Sequence, residues 1–103
     1  MPEYFAVTTT HGPEWDSSKP IRDQAAWDAH ASFMDSLVDE GFIVLGGPLG
    51  SGDHALLIVN ATDDAEVRRR LAADPWNAMD MLSVSTVQRW SIWLDGSDKA
   101  DHR

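Results

Sequence analysis

The sequence predicts an α+β domain, and three observations carry that reading. Stretches rich in aromatic and β-branched residues fall at 3–9, 42–49, 54–60 and 84–94. Two stretches with apolar residues at helical spacing, 24–40 and 61–74, alternate with them. A Gly-rich turn, "GSGD" at 50–53, joins the middle two strands as a hairpin. The resulting order is β-α-β-β-α-β, the ferredoxin-like split unit: a four-stranded antiparallel sheet with its helices on one face. At 103 residues the chain amounts to one domain. That domain is read over 1–95, with 96–103 as a flexible C-terminal tail.

Each element has its own justification. "EYFAVTT" (3–9) combines aromatic and β-branched residues and starts the sheet. "THGPEWDSSKPIRD" (10–23) has two Pro and several turn formers and reads as a long loop. A loop of that length in a small domain is functional or mobile. In 24–40, Trp27, Ala31, Met34 and Val38 form one apolar stripe, with His30 and Leu37 beside it. Asp23 is the expected N-cap and Gly41 the stop. In 61–74, Thr62 is the expected N-cap, acids occupy the first turn and three Arg lie further along. Val67, Leu71 and Asp74 follow at i, i+4 and i+7. Pro75 ends that helix, and "PWNAMDML" (75–82) makes a short second helical piece. "FIVL" and "ALLIV" barely alternate, so the sheet carries apolar residues on both faces. No element remains to cover the second face. A homodimer with its sheets packed face to face is therefore expected.

Composition excludes several function classes. Eight Lys and Arg against 17 Asp and Glu give a net charge of −9. Nucleic acid and anionic membrane surfaces are poor partners for such a chain. It has no Cys, which removes disulfides, thiolate chemistry and Cys-based zinc sites. The first residues have neither a basic start nor an apolar run, and no stretch approaches the ~20 apolar residues of a bilayer span. A cytoplasmic protein is expected. Of the four histidines, His11, His30, His54 and His102, none has metal-ligand spacing, so no metal is expected.

Two residues stand out for chemistry. His30 edges the apolar stripe of the first helix, where it is either a core histidine satisfied by its surroundings or a working one. Asp74 precedes Pro75 and can simply cap the next helix. Its register also aims it along the buried side of the second helix, and a buried carboxylate needs a partner. His30 is the candidate, since both helices cover the same sheet face. Asp74 can use one oxygen for each task. A His–Asp pair fixes the imidazole tautomer. Arg22 either pairs with Asp16 or Asp23 or anchors an anionic group. Trp27 and Trp76 pack the core or wall a pocket, and Tyr4 can donate a hydrogen bond into it.

These residues resemble a known family. Over 3–94 the chain is similar to the YCII-related (YciI-like) proteins of the dimeric α/β-barrel superfamily. The likeness lies in "RDQAAWDAHASFMDSLVDEGFIVLGGPL", the "HALLIV" strand and "LAADPW". The family pattern is an Arg, a His on the first helix, a "G…GP" strand and an acid-Pro-aromatic. It falls here on Arg22, His30, "GGPL" at 46–49 and Asp74-Pro75-Trp76. The resemblance implies a ferredoxin-like dimer with His30 and Asp74 as its catalytic pair. One relative is a dehydrochlorinase of a chlorinated hydroxyhydroquinone, and muconolactone isomerases share the superfamily fold. The chain departs from shorter relatives in its insertion at 10–23 and in Trp76, which is bulkier than the Phe or Tyr often found there.

The expected function is a cofactor-independent acid/base enzyme, a lyase or isomerase acting on a small, cyclic organic molecule. His30 moves the proton and Asp74 orients it. Arg22, Trp27, Trp76 and Tyr4 bind the substrate. Two alternatives stand beside it. One is a non-catalytic small-molecule binder or accessory protein, in which the pair is structural. The other is a cofactor-using oxygenase, as some relatives of this fold are.

Overall fold

The computed structural model describes residues 3–96. His102 and all of the expected tail except Gly96 lie outside them. The elements are β1 (Tyr4–His11), a 3-10 turn (Ile21–Asp23), α1 (Trp27–Asp39), β2 (Ile43–Leu49), β3 (His54–Asn60), α2 (Asp64–Leu71), α3 (Pro75–Ala78) and β4 (Leu82–Trp90). The fold is α+β. Its four strands form one sheet in the order β2-β3-β1-β4, every neighbouring pair antiparallel. This arrangement is compatible with the ferredoxin-like reading.

Strand alternation sorts the two faces. Phe5 and Val7 on β1 lie beside Val59 and Leu57 on β3. They form one core cluster with Leu37 of α1 and Val67 and Leu71 of α2. Both helices therefore cover the same face. Val7, Val59 and Val67 are fully shielded from solvent, and each such side chain contributes about 1.5–3 kcal/mol. Among the described residues the opposite face has no helix. Leu45, paired with Ile58, and Leu49 are exposed there, as is Trp90 beside Tyr4.

Helix boundaries differ from the sequence reading for local reasons. The first helix begins at Trp27 and not at 24, and its N-cap is Ala26 in the left-handed region at φ 59°, not Asp23. The residues before it have other tasks. The buried Gln24 side chain accepts from the Asp16 amide at 3.0 Å and donates to the Asp16 and Lys19 carbonyls at 2.6 and 3.0 Å. The Ala25 carbonyl accepts from the Trp76 indole N–H at 2.7 Å. These contacts fold 12–24 down beside the sheet.

The second helix starts one residue later than expected, capped by Asp63, whose carboxylate accepts from the Glu66 amide at 2.8 Å. Thr62 gives its amide and hydroxyl to the Glu66 carboxylate instead, which lowers the Glu66 pKa. This helix stops at Leu71, because Pro75 pushes Asp74 into extended geometry at φ −60°, ψ 129°. Asp74 thus belongs to the start of α3 and not to the end of α2. The last strand runs 82–90 instead of 84–94. Its partner β1 begins at Tyr4, opposite Trp90, so residues beyond Trp90 have no strand to pair with among the described residues.

Candidate active site

Asp74 and His30 meet in the space between the short helix and α1. Asp74 Oδ1 accepts from the Trp76 amide at 2.9 Å and caps α3, which has Pro75 at its first position. Asp74 Oδ2 lies 2.7 Å from His30 Nδ1. His30 is 8% exposed and Asp74 4%. A carboxylate accepts, so Nδ1 donates, and the tautomer of the neutral ring leaves the lone pair on Nε2. Nε2 makes no hydrogen bond among the described residues, yet none of their buried side-chain nitrogens or oxygens lacks a partner. Nε2 is therefore accessible.

It opens into a cavity of about 300 Å³ bounded by α1, the 10–23 loop and the β2–β3 hairpin. That volume lies at the low end of small-molecule sites. Aromatic rings form much of the wall. Trp76 stacks on His30 with centroids 3.8 Å apart, and Trp27 lies 5.8 Å from His30. Trp15 meets Trp76 edge-on at 5.4 Å and stacks on His11 at 3.7 Å. Thr9, Met34, Gly46, Pro48 and His54 complete much of the lining. No Asp, Glu, Lys or Arg is among the described residues that line the cavity. Gly46 keeps the β2 side close. A Cβ there would stand 2.7 Å from Leu57 Cδ2.

The structure brings together four of the six residues singled out in the sequence: His30, Asp74, Trp27 and Trp76. Tyr4 does not join them. Alternation sends its neighbour Phe5 to the helices and turns Tyr4 to the opposite face. Arg22 is exposed on the 3-10 turn, from which Ile21, not Arg22, reaches the cavity.

His11 and Trp15 were not counted as site residues from sequence. Extending the period-2 pattern of β1 from Val7 through Thr9 would have aimed His11 at the helix face. Burial lowers the His11 pKa below 6.5, with Asp53 opposing and His54 adding to that shift.

A second hollow of about 320 Å³ lies at the other end of β1, near Glu3, Glu40, Glu66 and Arg70. Its charges are committed: Glu40 pairs with Arg70 at 2.6 Å, Glu3 pairs with Arg89, and Glu66 holds Thr62. Among the described residues no group of three or more His, Asp or Glu is placed to hold a metal ion, and no helix is long and apolar enough to cross a membrane. No protein-family model, curated protein or solved structure matches the chain.

Proposed function

We propose that the protein is an acid/base enzyme of the lyase or isomerase type, acting on a small cyclic organic molecule without a cofactor. One observation carries this reading. A buried carboxylate holds one nitrogen of His30 at 2.7 Å, while the other nitrogen opens into an apolar cavity. His30 Nε2 takes the proton, and Asp74 orients the ring and stabilises the imidazolium that forms. His30, Asp74 and Trp76 are among the residues that resemble the YCII-related family, and that membership is part of the proposal. The test is a turnover screen with halogenated hydroquinones and unsaturated lactones, read by ultraviolet absorbance. His30→Gln and Asp74→Asn are expected to retain ligand affinity and lose about 10²–10⁴-fold in kcat. Turnover indifferent to both substitutions overturns the reading.

A second reading is a binder that turns nothing over. It is favoured by the tight stacking of His30 on Trp76, which suits a purely structural role. In that case the same ligands bind and none is converted.

The active form is a homodimer in this proposal. Leu45 is 66% exposed on the helix-free sheet face, and Trp93 and Leu94 just past β4 are 89% and 93% exposed. A second copy related by a two-fold axis covers such a surface. Light scattering at micromolar concentration is expected to give twice the chain mass, and a monomer overturns this part.

A further inference from the structure

The acid/base reading leaves two titratable groups of the cavity wall unused, His11 and His54. His11 closes β1 and faces the same space as His30. A continuous run of rings connects them: His11 on Trp15 at 3.7 Å and 8°, Trp15 edge-on to Trp76 at 5.4 Å, and Trp76 on His30 at 3.8 Å and 7°. This packing fixes the planes of both imidazoles. Among the described residues neither ring nitrogen of His11 makes a hydrogen bond, and neither is a buried atom left without a partner. His11 lines the cavity, its ring nitrogens have no partner among the described residues, and the wall around it is largely apolar.

The lining also restricts the ligand. With no Asp, Glu, Lys or Arg among the described residues of the wall, a charged ligand would meet no counter-ion. The net charge of −9 further disfavours anions. A flat, neutral ring compound with one polar group fits this space.

We propose that His11 donates a hydrogen bond to the carbonyl oxygen of a neutral cyclic ketone or lactone while His30 moves the proton, an inference that rests on the acid/base role of His30. His30 Nε2 removes a proton from the carbon beside the carbonyl. The C–H electron pair becomes the carbon–carbon double bond of an enolate, and the carbonyl π pair moves onto oxygen. That oxygen accepts from the His11 N–H. His30 then returns the proton to carbon. In an unsaturated ring the return to the far end of the conjugated system shifts the double bond, and no electrons leave the substrate. Burial, which lowers the His11 pKa against the pull of Asp53, keeps the ring neutral at neutral pH. A neutral imidazole polarises a carbonyl without protonating the enolate.

The test uses 2-tetralone, a neutral bicyclic ketone with acidic protons beside its carbonyl. Infrared spectroscopy reads the carbonyl stretch of the bound ketone, and NMR in D2O reads exchange of its α protons. The wild type is expected to lower the stretching frequency on binding and to accelerate exchange. His11→Phe keeps a ring to stack on Trp15. It is expected to abolish the frequency shift and slow exchange by about 10²-fold. His11→Gln, whose amide can donate, is expected to restore part of the shift. His30→Gln is expected to keep the shift and lose the exchange. Failure of 2-tetralone to bind, or a carbonyl band unchanged by both His11 substitutions, overturns the role of His11. Exchange that still depends on His30 would then leave the acid/base reading standing. A shift that depends on His11 without any exchange in the wild type overturns the acid/base reading instead, and with it the enolate step.

Discussion

Replacing Asp74 separates its two tasks, because each carboxylate oxygen has one partner. Asp74→Ala removes the cap on α3 and leaves the buried His30 Nδ1–H unpaired. Loss of an N-cap costs about 1 kcal/mol. An unsatisfied buried donor costs about 1–3 kcal/mol more. The expected loss is roughly 2–4 kcal/mol. Asp74→Asn behaves differently. The Trp76 amide still needs an acceptor, so the Asn oxygen stays on it and the Asn NH2 turns toward His30. His30 Nδ1 must then accept, and the ring proton moves to Nε2. The cap and the buried hydrogen bond both survive, so the stability cost is under about 1 kcal/mol. The lone pair, however, is turned away from the cavity.

Urea denaturation of wild type, both Asp74 variants, His30→Ala and the Asp74→Ala/His30→Ala double variant measures the energies. A coupling of about 1–3 kcal/mol between the two sites is expected. Nitrogen-15 NMR of the imidazole reads the tautomer directly: Nδ1–H in the wild type and Nε2–H in Asp74→Asn. Equal destabilisation by Ala and Asn, zero coupling and an unchanged tautomer would together refute the pairing argument.

Other perturbations act on the loop beside the cavity and on His11. Gly12→Ala should destabilise by about 1–3 kcal/mol in urea. Its Cβ would stand 2.2 Å from the Asp80 carbonyl oxygen, where Gly12 and Glu14 are tied to Met81 and Asp80. Gln24→Ala removes three hydrogen bonds that hold the 12–24 loop. Faster hydrogen exchange at the Asp16 amide is expected, with the amides of β1 and β3 unchanged. Because the folded His11 pKa lies below 6.5, the unfolded chain binds the proton more readily. The protein should lose stability as pH falls through about 6.5 and level off below the folded pKa. His11→Phe should remove that component from a series of melts between pH 8 and pH 5. A wild-type and variant difference that is flat in pH would exclude it.

Much of this molecule was legible because the governing interactions are local in sequence. The hairpin strand 54–60 coincides with β3, since "GSGD" fixes the turn and "ALLIV" fixes the strand. The pairing of Asp74 with His30, 44 positions apart, was legible only in part. Pro75 marks the cap and the apolar stripe places His30. The register that aimed Asp74 inward along the second helix is not the one it has, since Asp74 caps α3. Long-range contacts governed what was not legible. The first helix loses residues 24–26 to Gln24 and Ala25, whose partners lie in the loop and on Trp76, 51 positions away. His11 becomes a wall residue only because β1 continues to pair with β3 and β4 past Thr9. Tyr4 faces away from the site by strand alternation, a local rule, since its neighbour Phe5 belongs to the core. Arg22 shows the opposite case: the reason it stays outside is the fold of the loop around Gln24, which no spacing in "KPIRD" announces.

An Asp-Pro pair at a helix start needs no histidine, and a buried histidine needs no cavity. A cap uses one carboxylate oxygen, and the other is free to face water. Here the other is held at 2.7 Å on an imidazole inside the protein, in a helix of four residues that has little else to fix it. Trp76 makes the arrangement rigid from three directions: its amide meets Asp74, its indole N–H meets the Ala25 carbonyl, and its face lies on the His30 ring. The partner on Nδ1 is supplied by the protein, and Nε2 is left reachable from outside the ring's packing. Only one nitrogen is satisfied among the described residues, and the other opens into an apolar space walled by three tryptophans. That asymmetry, one nitrogen fixed and one presented, is the feature on which the proposed proton-carrier role rests.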